Sequence, residues 1–155
     1  MKIWGYPAPC QLLLCSTALP DTVQKASGLS NVTVEHASVY ELPYKDDSFD
    51  IVYAHQVMQH LTDPVSALKE MARVARVGGY VAVRDADYYT MSCSPESEMI
   101  DEWRRIYCLV ARRNGAEPDA GRHLLGWCHQ AGLQDVRISA SAWSYWTEED
   151  RENWG

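Results

Sequence analysis

The sequence predicts a doubly wound α/β sheet, and three observations predict it. The stretch from Leu42 to Arg84 reads as a strand, a polar loop, a helix, a Gly-Gly stop and a second strand, a βαβ unit. Through the rest of the chain, short β-branched runs alternate with helical patterns of roughly ten to eighteen residues. The polar loop of the central unit falls at the carboxyl end of its first strand, where open α/β sheets bind ligands. At 155 residues the expectation is a single domain over 1–155, with residues 1–20 as a divergent N-terminal segment.

Charge and cysteines narrow the class of function. The formal net charge is −7. Lys2 and Lys25 balance Asp21 and Glu35 in residues 1–40, so the acidic excess lies after Glu41. An acidic chain without a basic stripe is a poor partner for nucleic acid or an anionic membrane, and neither is expected. The five cysteines form no C-x-x-C pair, which favours reduced thiols over a disulfide framework. His123, Cys128 and His129 lack zinc-like spacing, so no metal is expected. The first twenty residues hold one Lys and an interrupted apolar run of only about nine residues, unlike a secretory signal. No run approaches the roughly eighteen apolar residues of a membrane span. The expected location is cytoplasmic.

Taken in order, Gln11–Cys15 is a short apolar run suited to a buried strand, bounded by Pro7, Pro9 and Pro20. A short helix through Gln24–Ser27 precedes Gly28, and Asn31–Ala37 alternates like a strand. Tyr44–Ser48 is a turn, followed by an apolar strand from Phe49 to Ala54. His55, Gln56, Gln59 and His60 crowd the next loop. Asp63 and Pro64 are a helix cap and first position, and Val65, Leu68, Met71, Ala72 and Ala75 are expected on the buried face. Gly78-Gly79 is expected to stop that helix through a left-handed cap before a strand over Tyr80–Arg84. A long helix from Ser94-Pro95 to about Asn114 is expected to bury Ile100, Trp103, Tyr107 and Val110, with its arginines solvated. Asp119–Ala131 is another helix, and Val136, Ile138 and Ala140 alternate as a late strand. Thr147-Glu-Glu-Asp150 is a capping box opening a last helix.

The candidate chemistry sits beyond the two strands of the central unit. His55 and His60 are candidate general bases, histidine being the side chain suited to that role near neutral pH. Asp85 and Asp87, beside Arg84, either orient a substrate or cap their loop. The aromatics from Trp143 to Trp146 either wall an apolar pocket or belong to the core. No G-x-S-x-G elbow, P-loop or H-E-x-x-H pattern is present, and before Leu42 the only glycines are Gly5 and Gly28.

From Leu42 onward, L-P-x-x-D-x-S-F-D, Q-x-x-Q-H and R-V-x-R-V-G-G, with the later HQAGLQDVRIS, resemble the second half of a class I S-adenosylmethionine-dependent methyltransferase of the ubiquinone and menaquinone biosynthesis type. The resemblance covers about residues 31–155. It implies a Rossmann-like fold with S-adenosyl-L-methionine across the strand ends. Ser38 and Val39 would meet the adenine, and Ala54, His55 and Gln56 the methionine part. His60 and His55 would be catalytic, while Asp85, Asp87 and Tyr88 would face a small-molecule acceptor. The family's first strand and its glycine-rich loop have no counterpart, and Ser38 and Ser16-Thr17 stand where the family carries acids. The expectation is therefore an N-terminally incomplete fold, its exposed strand edges to be covered, repaired by Gln11–Cys15, or filled by a homo-oligomer or partner chain. The function expected is methyl transfer to a small metabolite, impaired by truncation. The alternative is an inactive remnant serving as an interaction subunit.

Overall fold

The computed structural model describes residues 12–15 and 35–154. Three parallel strands lie in the order β1 (Leu12–Cys15), β2 (Phe49–His55) and β3 (Ala75–Arg84). β2 is central, with Val52 and Ala54 buried, as expected of a parallel strand covered on both faces. The helix expected over 24–27, Ser16 and Thr17, and residues 31–34 lie outside the described residues.

Helix α1 (Pro64–Val74) connects β2 to β3. Asp63 caps it: its Oδ1 accepts the Ser66 amide at 3.0 Å and its Oδ2 the Ser66 hydroxyl at 2.6 Å, while Pro64 takes the first position. Ala67, Leu68, Met71 and Val74 form the buried stripe at helical spacing. Leu68 is fully buried, worth roughly 2 kcal/mol relative to exposure. Helix α3 (Ala120–Gln130) packs beside α1 and adds Cys128 to the same core.

Three expectations need correcting. Gly78-Gly79 does not stop α1, which ends four residues earlier at Val74. Its last carbonyls are satisfied at a distance, by the amides of Asp47 (to Arg73, 3.1 Å) and Ser48 (to Val74, 2.9 Å). The chain then enters β3 directly. Partners Phe49–Ala75 and Ile51–Tyr80 leave extra residues on β3, and this bulge holds Gly78 at φ 77°. Gly79 sits so close to the adjoining backbone that a Cβ would lie 2.7 Å from the Asp50 carbonyl oxygen.

The long helix, α2 (Glu98–Arg113), begins at Ser97 instead of Pro95 and buries no side chain. Trp103 is 42% exposed and Val110 52%, so the apolar stripe read as core is a half-open surface. The late strand is also absent: residues 136–140 have no regular structure. The capping box does form. Asp150 N–H donates to Thr147 Oγ1 and Thr147 N–H to Asp150 Oδ2, at 3.0 and 3.3 Å, opening α4 (Glu148–Trp154). No helix among the described residues is long and apolar enough to cross a membrane.

Candidate functional site

β2 and β3 run parallel, so His55 and Arg84 end side by side at one rim of the sheet. Beyond β2 the backbone reverses through Gln56, held at φ 57° by its amide bond to the Arg84 carbonyl at 2.8 Å. A non-glycine residue persists there only when its surroundings over-determine it, a condition common at ligand sites. A 3-10 turn over Met58–His60 follows. Asp85, just past β3, receives the Met58 amide at 3.2 Å and the Gln59 amide at 3.1 Å, one on each carboxylate oxygen. One carboxylate thus ties the two loops together. Burial raises its pKa, against the lowering effect of those amide bonds and of His60.

Gln59 is 4% exposed, and its amide nitrogen donates to Gln56 Oε1. Its own Oε1 is buried with no hydrogen-bond partner among the described residues. An orphaned buried acceptor is costly and calls for a donor. His55 lies at the exposed rim, stacked on Tyr53 at 6.2 Å and edge-on to Trp143 at 5.6 Å. Partial desolvation lowers its pKa, with the positive Arg84 adding to the effect, so its imidazole is neutral at pH 7.

The remaining sequence candidates separate into distinct environments. Ala54 is fully buried beneath the rim. Ser38 is exposed and its Oγ accepts the Tyr40 amide at 3.3 Å, whereas Val39 is core. His60 is exposed, on the Asp85 side of the turn. Asp87 is held in a two-point pair with Arg122 at 2.7 and 2.8 Å, both oxygens engaged. Tyr88 packs on Tyr107 with ring centroids 4.6 Å apart. Burial and its bond to Tyr107 push the phenol up to about 12, so it keeps its proton. His55, Gln56, His60 and Asp85 therefore gather around one turn, while Asp87 and Tyr88 face α3 and α2.

Two residues with prominent places here were not selected as site residues from sequence. The Q-x-x-Q spacing contains the signal for Gln59, because residues three apart meet across a helical turn. Trp143 is distant in sequence from both strands it touches, and no local pattern announces the contact.

Comparison with known proteins follows the same lines. The family profile described as methyltransferase domain matches residues 13–83. An uncharacterised methyltransferase of Schizosaccharomyces pombe is 37% identical over 130 residues, covering 83% of this chain and 46% of the relative. The ubiquinone/menaquinone biosynthesis C-methyltransferase of Bdellovibrio bacteriovorus is 49% identical over 59 residues, 38% of this chain and 25% of that protein. The chain thus spans less than half the length of these curated relatives. Among solved structures, an S-adenosylmethionine-dependent methyltransferase from Thermotoga maritima matches with a TM-score of 0.51 and 25% identity, over 72% of this chain and 51% of that one.

Proposed function

Because the chain belongs to the class I S-adenosylmethionine-dependent methyltransferases, of the type found in ubiquinone and menaquinone biosynthesis, we propose that it takes part in methyl transfer to a small-molecule acceptor at the carboxyl ends of β2 and β3. The observation that carries this reading is the Gln59 Oε1 behind the Gln56 turn, buried and without a hydrogen-bond partner among the described residues. The methyl donor's methionine part bears an ammonium group rich in N–H donors, so the residues present fit it. Gln59 and Gln56 would hold that part, and the small buried Ala54 lets the backbone come close. When bound, the donor would supply an electrophilic sulfonium methyl for in-line attack by the acceptor's nucleophilic atom, with neutral S-adenosylhomocysteine leaving on the electron pair of the broken C–S bond.

The chain's own contribution is alignment and proton handling. Asp85 holds the Gln59 turn rigid through two amides. His55, neutral because its pKa is lowered, accepts a proton from the acceptor, and exposed His60 is a second base on the same turn. Tyr88 stays protonated, but its hydroxyl is engaged with Tyr107 on the α2 side and takes no part in this proton handling.

The test is calorimetric titration of the donor's demethylated product, S-adenosylhomocysteine, into the chain and into Gln59→Met. The unaltered chain should bind, and Gln59→Met should lose about tenfold in affinity, as for one charge-assisted hydrogen bond. The thermal midpoint should change little, because the variant loses the Gln59–Gln56 side-chain bond but also removes an unsatisfied buried oxygen. Absence of heat at about 100 μM chain, where micromolar binding registers, would refute the reading.

A further inference from the structure

Helix α2 packs on the loop after β3 with one flank only. Tyr88 meets Trp103 and Tyr107, and Arg104 donates to the Met91 carbonyl, so the packed flank is the one carrying Arg104 and Tyr107. The opposite flank is left open by the described residues, and it is apolar. Met99 is 81% exposed, Leu109 58% and Ile106 46%, beside the half-open Trp103 and Val110. Met99, Trp103, Ile106 and Val110 recur at spacings of four, three and four, the seam of a helix that pairs with another helix, and Leu109 widens it. At the start of the seam lies an apolar hollow lined by Met91, Met99, Ile100 and Trp103. A contiguous apolar face edged by charge marks an interaction surface.

The charges on α2 decide what covers it. Acidic residues occupy its first turns and arginines its last. Most are already engaged: Asp101 with Arg104, Glu102 with Arg105, and Arg112 with Glu117 and Asp119. Glu98 and Arg113, exposed at opposite ends of the helix, have no ion pair among the described residues. Two copies of α2 laid antiparallel about a two-fold axis bring Glu98 of each copy towards Arg113 of the other, whereas a parallel pair sets like charge on like. The same antiparallel register sets Met99 against Val110 and Trp103 against Ile106, and Val110 of the second copy then covers the hollow. A face that complements itself in both apolar pattern and charge fits a second copy of this chain.

We propose that α2 is the interface of a homodimer, an antiparallel two-fold pair of helices joined along Met99, Trp103, Ile106 and Val110. Covered on two copies, the seam makes an interface of about 1,000 Å², the low end for a specific contact. The dimer is therefore reversible, with a dissociation constant on the order of 10 μM. It stands independently of the methyl-transfer reading.

Sedimentation equilibrium of the full chain, from about 1 to 200 μM, reads the interface. The chain should pass from monomer to dimer across that range. Ile106→Glu places a charge on each side of the axis and should weaken the dimer at least about thirtyfold. Its thermal midpoint, taken at about 1 μM where the parent is monomeric, should hold, because α2 buries no side chain. Glu98→Arg repels Arg113 at two places and should weaken the dimer about five- to tenfold. Adding Arg113→Glu to the same chain should recover most of that loss. A chain still monomeric at about 200 μM, species larger than a dimer, or a dimer that survives Ile106→Glu would overturn the proposal. Glu98→Arg without effect, or without recovery in the double reversal, overturns the antiparallel order. A monomer whose midpoint falls on Ile106→Glu also sinks the proposal, since the chain's own residues then cover the face.

Discussion

Replacing Asp85 by alanine removes the acceptor of two amides at once. Met58 is fully buried and Gln59 nearly so, so water replaces the carboxylate poorly. Hydrogen bonds to a charged group contribute about 1.5–3 kcal/mol each. Part of that gain is offset by desolvation, which is why the Asp85 pKa is raised. A net loss of about 2 kcal/mol is expected for Asp85→Ala, and about 1 kcal/mol for Asp85→Asn, which keeps one acceptor oxygen. The pH dependence has a definite sign. A carboxyl whose folded pKa exceeds its unfolded value holds extra protons in the folded state. Its contribution to stability therefore falls as pH rises between those two values, beginning near the ordinary carboxylate range of about 4. Asp85→Asn cannot titrate, so its stability should change less over that window than the parent's. Urea unfolding at several pH values reads both effects through the midpoint. A change below about 0.5 kcal/mol for Asp85→Ala, the level of an ordinary surface substitution, would refute the role given to this carboxylate.

Gly79→Ala should destabilise by roughly 1–3 kcal/mol, since its Cβ would press on the Asp50 and Arg76 carbonyl oxygens at 2.7 and 2.9 Å. Gly126→Ala, within α3 and with nothing inside 4 Å, should instead stabilise by about 0.5–1 kcal/mol; thermal melts of the pair separate crowding from helix propensity. Thr147→Ala should leave the melt almost unchanged while speeding amide exchange at Asp150, whose N–H loses its hydroxyl acceptor. Exchange at Asp150 unaltered by that substitution would mean the cap does not hold α4.

Locally encoded features were legible in the sequence. The Asp63-Pro64 start of α1, the bounds of α3 and the Thr147 capping box each use neighbours within one helical turn, so spacing alone exposes them. The end of α1 was not legible, because its final carbonyls bond to Asp47 and Ser48, more than twenty residues earlier. Gly78-Gly79 looks like a helix stop but serves a strand bulge, where Gly79 answers a close approach that only folding creates. The late strand failed for a related reason. Alternation supplies a face, but a strand also needs ladder bonds to a neighbour, and 136–140 forms no ladder among the described residues. At the site, the crowding of His55, Gln56, Gln59 and His60 was visible. The orphaned oxygen of Gln59 was not, since burial is a property of what packs around it. Arg84 and Trp143 likewise meet only through the fold.

Helix α2 buries none of its side chains, and its ends rest on the Ser97 cap and on local pairs such as Arg104–Asp101 and Arg105–Glu102. It grips the loop after β3 from one side: Arg104 donates to the Met91 carbonyl at 2.6 Å, and Trp103 and Tyr107 flank Tyr88. The molecule is consequently two-speed. The β2 floor, sealed by Val52 and Ala54, should open only with global unfolding, whereas the unburied α2 and the 88–91 loop it holds should loosen at smaller cost. A ligand resting between them would find an unyielding floor and a roof that travels as one piece.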